Sequence, residues 1–213
     1  MIQIRKFVCN MFQENTFVVS DETKDCVIID CGAYYEEERQ AIASYIRSNG
    51  LTPRHLLATH GHVDHHFGDQ AMLEDFGLSV EVPAADERLM RKLPQQAVVF
   101  TGLTSHQFPP VGKYLSDDDT ISFGSHEILI HPTPGHSPGS VVYEIAGEGA
   151  LFTGDTLFHL SIGRTDLEGG SMMQLIQSLR TLAQMPDETR VYAGHGEETT
   201  IGEELRMNPF MDR

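Results

Sequence analysis

The run Thr59-His60-Gly61-His62-Val63-Asp64-His65 packs three imidazoles and a carboxylate behind an apolar strand pattern at His55 to Thr59 and ahead of a helical one. In an extended segment, side chains two apart share a face, so His60 and His62 aim at one cation from the strand's end. Asp64 and His65 need a turn before they can face a second cation. The chain has 11 histidines, unevenly spread, and this run holds the densest group.

Three further segments repeat the same placement, a ligand-type side chain in a glycine-bearing loop after a strand pattern. They are Thr133-Pro134-Gly135-His136, Thr153-Gly154-Asp155 and Ala193-Gly194-His195. Gly-His and Gly-Asp are common turn pairs, so each alone reads as structural. Their order after the His60 run makes the combination specific. His55, His106, His126 and His159 are expected to be hydrogen-bonded or surface residues, and His66 and His131 fit either role.

Short strands are predicted at Phe17 to Val19, Cys26 to Asp30, His55 to Thr59, Ser79 to Val82, Glu127 to His131, Ser140 to Ile145, Leu151 to Thr153 and Arg190 to Ala193. Helices are predicted at Glu36 to Asn49, with Ile42, Tyr45 and Ile46 on one face, at Gln70 to Phe76, and at Ser171 to Gln184. Strands and helices interleave, which suits sheets with helices outside them and an α/β (α+β) class. No linker divides residues 1–213, so one domain is expected. Thr104 to Thr120, with Pro109, Pro110 and Gly112 and little periodicity, reads as a long loop covering a functional face.

The 213 residues carry 15 Lys plus Arg against 31 Asp plus Glu, a formal charge of -16. That balance argues against nucleic acid and anionic membrane as partners. No apolar run is long enough to cross a bilayer, and polar residues from Asn10 to Asn15 interrupt any secretory signal core. Three cysteines, Cys9, Cys26 and Cys31, fit a reduced compartment better than a disulfide framework, so a cytoplasmic location is expected.

Competing motifs fail on physical grounds. Gly135-His136-Ser137-Pro138-Gly139 matches the serine-hydrolase pattern in form, but Pro138 has no N–H for an oxyanion hole and no helix pattern follows. His126-Glu127 begins a zincin-like pair, and Ile130 stands where its second histidine belongs.

The His-x-His-x-Asp-His run, followed by a histidine, an aspartate and a final histidine, resembles the metallo-β-lactamase fold superfamily over nearly the whole chain. The resemblance implies a four-layer αβ/βα sandwich of two mixed sheets flanked by helices, with a dinuclear site along one edge. It implies that His60, His62 and His136 hold one metal and Asp64, His65 and His195 the other. Asp155 would bridge both, Asp64 and Asp155 would be the acidic groups at the reaction centre, and Asp30 would support the ligands from behind. Such a donor set suits two Zn²⁺ per chain, with Fe or Mn as alternatives. A water between two such ions should lose a proton near neutral pH and become the nucleophile.

Ser161-Ile162-Gly163-Arg164-Thr165-Asp166 and Asn208-Pro209-Phe210 are similar to short hydrolases of the glyoxalase II type. That likeness implies hydrolysis of an anionic acyl thioester such as a hydroxyacylglutathione, with Arg164 meeting a substrate carboxylate or else pairing with Asp166. The longer glyoxalase II enzymes carry a C-terminal helical domain that grips glutathione. This sequence ends at Arg213, and no such domain is expected. They also place tyrosines near the positions of Asp166 and Glu197, and neither is tyrosine here. An aspartate at 155, where the best-known class B β-lactamases have cysteine, counts against a β-lactam substrate. The alternative reading is a persulfide dioxygenase with one iron on His60, His136 and Asp155. A lactonase and a non-catalytic metal-binding module remain further possibilities.

Overall fold

The computed structural model describes residues 1–212. Its first sheet is built from β1 (Gln3–Cys9), β2 (Glu14–Ser20), β3 (Asp25–Ile29), β4 (Thr52–Leu57), β5 (Val80–Pro83) and β6 (Lys113–Leu115), side by side in that order. β1 to β3 pair antiparallel and β3 to β6 parallel, so the sheet is mixed. Into its crossovers fit α1 (Glu36–Ser48), α2 (Asp69–Phe76), the short α3 (Glu87–Met90) and α4 (Leu93–Thr101).

The second sheet draws on β7 (Ile121–Phe123), β8 (His126–Pro132), β9 (Val141–Ile145) and β10 (Ala150–Gly154). A small hairpin, β11 (Leu157–Phe158) and β12 (Ser161–Ile162), and the helix α5 (Met172–Leu182) follow. β13 (Arg190–Ala193), β14 (Thr199–Thr200) and α6 (Ile201–Met207) complete the chain. The order across this sheet is β14-β13-β10-β9-β8-β7, with β10 and β13 parallel.

The alternation of side chains along β2 explains the layers. Phe17 and Val19 point into a core shared with Tyr143, Phe152 and Tyr192 of the other sheet, and Phe17 meets Phe152 edge-on at 5.2 Å. Val18 points the opposite way, into a second core with Ile42 and Ile46 of α1 and Met72 of α2. Every residue of β2 is therefore buried, as a strand covered on both faces must be. On the far side, Val142, Leu151 and Val191 pack against Leu175, Leu179 and Leu182 of α5 and Ile201 of α6. The result is the expected four-layer αβ/βα sandwich.

The eight predicted strands correspond to β2, β3, β4, β5, β8, β9, β10 and β13, and the three predicted helices to α1, α2 and α5. Ser171 caps α5, its hydroxyl accepting from the Gln174 amide. β1 escapes the pattern because it is an edge strand with Arg5 and Lys6 inside it. α4, begun at Leu93-Pro94 and stopped by Gly102 at φ +73°, also escapes it. The expectation for Thr104 to Thr120 is corrected. Its residues 113–115 form β6, and His106 and Phe108 pack on Phe67, so the segment does not line the site described below.

Candidate metal centre

Every ligand-type residue singled out in the sequence lies just beyond the C-terminal end of a strand, along one edge of the sandwich. β4 delivers Thr59, whose backbone N–H and hydroxyl both donate to the Asp30 carboxylate, at 2.7 and 2.9 Å. His60 and His62 follow in extended backbone. Val63 to His65 then turn as one 3-10 turn, which re-aims Asp64 and His65 away from His60. Gly61 passes so close to its neighbours that a Cβ there would stand 2.9 Å from the Leu89 Cβ. β10 shifts register between Phe152 and Gly154, with Gly154 at φ +47°, and this irregularity sets the direction of Asp155.

Three imidazole nitrogens converge. His136 Nε2 lies 2.7 Å from His62 Nδ1 and 3.2 Å from His60 Nε2. The opposite nitrogens of His60 and His136 are committed elsewhere. His136 Nδ1 donates to the Arg164 carbonyl at 2.7 Å. Thr59 gives its hydroxyl proton to Asp30, so His60 Nδ1, 3.0 Å from that oxygen, must donate to it. The Nε2 atoms of His60 and His136 are thus bare lone pairs turned into the site beside His62 Nδ1, an arrangement that fits a cation held by all three rings.

A second group forms beside it. Asp64 Oδ2 is 3.3 Å from His195 Nε2 and 3.7 Å from His65 Nε2. Asp155 reaches both groups with different oxygens: Oδ2 is 3.5 Å from His136 Nε2, and Oδ1 is 3.4 Å from His65 Nε2 and 3.6 Å from His195 Nε2. His65 Nε2 and Asp155 Oδ1 are buried without a hydrogen-bond partner. Buried polar atoms are normally paired, so these orphans fit missing coordination bonds. The seven side chains therefore offer two ligand groups joined by one carboxylate.

Electrostatics separate the two groups. Burial, reinforced by His65, His136 and His62, holds His60 well below the usual imidazole range. Burial and the neighbouring His136 bring His62 down to about 4, so both rings are neutral at pH 7. For His65, burial is outweighed by the carboxylates of Asp30, Asp64 and Asp155, which raise it well above the ordinary value. His195 is raised too, burial being overcome by Asp64 and Asp155. Burial would raise Asp155, but His65, His136 and His195 hold its carboxyl below the ordinary range.

Asp30, expected behind the ligands, sits there. It holds Thr59 and lies 3.0 Å from His65 Nδ1, off the hydrogen-bond direction. Arg164 borders the site, but its guanidinium forks onto Asp166 at 2.7 and 2.8 Å, so the surface ion pair is the arrangement seen. What supports the site directly is the Arg164 carbonyl. The hairpin before it is tied down by Asn208, whose Nδ2 donates to the Ser161 carbonyl, and by buried Glu204, which accepts from the Leu160 amide. Asn208 of Asn208-Pro209-Phe210 thus anchors the hairpin that precedes Arg164.

Several contributors were not legible in the sequence. Fully buried Asp86 accepts from the Gly61 amide at 2.8 Å, the Ser137 hydroxyl at 2.6 Å and the Gly139 amide at 2.6 Å, joining the His60 and His136 loops. Ser137 is therefore a buried strut, consistent with rejecting it as a nucleophile. Gln96 of α4 donates to the Gly61 carbonyl and accepts from the Val63 amide. The Asn15 amide bonds to the Gly194 carbonyl at 2.7 Å, and His195 Nδ1 lies 3.1 Å from the Phe12 carbonyl. Asp86 follows β5, so the strand-end rule could have found it. His66 is buried and bonds Asp69 and the His60 carbonyl, and His131 pairs with Glu144 across β8 and β9.

A cavity of about 100 Å³ opens onto the cluster, lined by His62, Asp64, His136 and Asp155 with Phe12 and Phe100. Among the described residues no helix is long and apolar enough to cross a membrane.

Residues 9–195 match the family model described as metallo-beta-lactamase superfamily. The chain is 35% identical over 205 residues to hydroxyacylglutathione hydrolase GloC of Haemophilus influenzae, covering 94% of each. Among solved structures it is similar to BLEG-1, a B3 metallo-beta-lactamase (TM-score 0.89, 33% identity, 98% of this chain and 99% of that one). It is also similar to TTHA1623 in a di-iron-bound form (TM-score 0.84, 33% identity, 97% and 100%). ETHE1 from Myxococcus xanthus follows (TM-score 0.76, 28% identity, 97% and 83%).

Proposed function

Because the chain belongs to the metallo-β-lactamase superfamily, we propose that it is a metal-dependent hydrolase of acyl thioesters, of the glyoxalase II-like type and dependent on two zinc ions. The observation that carries this reading is the pair of ligand groups sharing Asp155 at the floor of an open cavity. Divalent cations bound there would polarise an acyl oxygen and lower the pKa of water. His60, His62 and His136 would hold one cation, Asp64, His65 and His195 the other, and Asp155 both.

The chain's own contribution is orientation. Asp30, through Thr59, fixes which nitrogen of His60 faces the site, and the Arg164 carbonyl does the same for His136. In the reaction the oxygen of water bonds to the acyl carbon and the C–S bond breaks with its electron pair on sulfur. The thiol keeps one proton, and the acid releases the other to solvent. The cavity wall of Phe12 and Phe100 limits the water around the leaving sulfur.

Similarity to GloC of Haemophilus influenzae supports the thioester over other acyl bonds. This chain is 33% identical to BLEG-1, a B3 metallo-beta-lactamase, so a β-lactam belongs among the substrates tested. A second reading, a persulfide dioxygenase with one iron on His60, His136 and Asp155, draws on the similarity to ETHE1 from Myxococcus xanthus. Protein purified without added metal is analysed for its metals, then assayed for thiol release from S-lactoylglutathione and neutral thioesters, for nitrocefin opening and for oxygen uptake with glutathione persulfide. Zinc with thiol release is the expected result. Iron with oxygen uptake and no thiol release would replace the hydrolase reading.

A further inference from the structure

The cavity over the ligand cluster continues into a second hollow of about 240 Å³, lined by Leu89, Lys92, Val99 and Glu168 together with His62, Gln96, Phe100 and Leu167, which both hollows share. One groove therefore runs from the cluster along α4. Its walls are apolar where a solvated helix face would be polar: Val99 is 75% exposed, Phe100 43% and Phe12 37%. Such a contiguous patch beside a reaction site is a binding surface by default.

The charges on the groove's rim are already spent. Lys92 pairs with Glu168 at 2.6 Å, and Arg88 holds the same carboxylate at 2.8 Å. Arg164 pairs with Asp166, and Gln96 uses its amide on the Gly61 and Leu89 carbonyls and the Val63 amide. A substrate arm with carboxylates would thus have to break an ion pair to find a cation, on a chain of net charge -16. An apolar arm needs no such exchange, whereas an anionic thioester met by Arg164 would have to displace Asp166.

We infer that the groove along α4 binds an uncharged, apolar arm of the substrate, with Phe100, Val99, Leu89 and Leu167 as the residues that select it. The inference rests on the hydrolase reading and narrows its substrate class. A cavity of about 150 Å³ accepts a benzene ring, so the hollow has room for a ring or a chain of about six carbons. Continuity with the cluster favours a substrate arm over a second copy of the chain, which would seal the mouth of the site.

Two thioethers with a common hexyl arm test this without turnover: neutral S-hexyl-N-acetylcysteamine and anionic S-hexylglutathione, titrated by calorimetry into the metal-loaded full chain. The neutral compound is expected to bind at least as tightly as the anionic one. Val99→Lys, at a position too exposed to disturb folding, should weaken the neutral compound about tenfold and spare the anionic one. Phe100→Ala should weaken both about tenfold. Tighter binding of S-hexylglutathione by the unaltered protein, no binding of either compound, or binding indifferent to both substitutions would overturn the inference. So would a dimer in sedimentation that Val99→Lys dissolves. Binding as expected with no thioester hydrolysed would instead count against the hydrolase reading alone.

Discussion

The Nε2 atoms of His60 and His136 face one another at 3.2 Å with His62 Nδ1 2.7 Å from the latter, and the hydrogen bonds behind the His60 and His136 rings turn their lone pairs into the site. Folding the metal-free chain must gather these lone pairs with only the His62 N–H to share between them, at an electrostatic cost. A cation that binds only the folded state removes that cost and adds its own binding free energy, about 4 kcal/mol at a thousand times its Kd. Stripping metal with a chelator is expected to lower Tm on the order of 10 °C, restored by adding zinc. Scanning calorimetry checks it, and an unmoved transition would mean that the cluster holds no metal.

Asp155 touches both groups with separate oxygens, so its loss should be felt twice. Asp155→Ala is expected to leave at most one metal per chain by elemental analysis and to lower kcat at least a hundredfold. Asp155→Asn keeps the shape but not the charge, and should retain more metal than Ala while remaining slow. Unchanged stoichiometry and turnover in the alanine variant would remove Asp155 from the bridging position.

The convergence of seven side chains was legible because chemistry and position coincide: each is a ligand-type residue just past a strand, and strand ends along one edge of a sandwich meet in space. Asp86 was not, although it also follows a strand. Its meaning lies in bonds to Gly61, Ser137 and Gly139, residues 25, 51 and 53 positions away, which no local pattern reports. Gln96 and Glu204 were hidden for the same reason. Sheets with helices outside them were legible from the interleaved strand and helix patterns, whereas their stacking into four layers came only with the family resemblance. The edge strand β1 was not, since its outward face carries charge and its burial depends on a single neighbour. Arg164 shows the limit of residue type as a guide: the sequence pointed to its guanidinium, and the structure uses its carbonyl.

The two ligand groups should part company on acidification. A proton competes with a cation for each imidazole, and it competes best where the folded protein favours the charged ring. His65 and His195 are raised by surrounding carboxylates, whereas burial and histidine neighbours depress His60 and bring His62 to about 4. As pH falls from 7, the metal held by Asp64, His65 and His195 is expected to leave first. The metal on His60, His62 and His136 should persist toward pH 5. Metal content after equilibrium dialysis at stepped pH measures this directly, and simultaneous loss of both metals would contradict the assignment of the groups.

Asp86 is the strut on which the geometry of the first group depends. Its carboxylate, fully buried, takes two backbone amides and a hydroxyl from the loops that carry His60, His62 and His136. Ser137 keeps its contact with Ser140 when the carboxylate is gone, but the Gly61 and Gly139 amides do not regain a partner. Each buried donor left unpaired costs about 1–3 kcal/mol. Asp86→Ala is therefore expected to destabilise the protein by about 2–6 kcal/mol in urea unfolding. Because the two loops then lose their common anchor, affinity for the first metal should fall about tenfold or more in a chelator competition. Asp86→Asn, with one acceptor oxygen left, should lie between. A loss of stability with metal affinity untouched would make Asp86 a prop of the fold alone, and would require another group to hold the His60 and His136 loops in register.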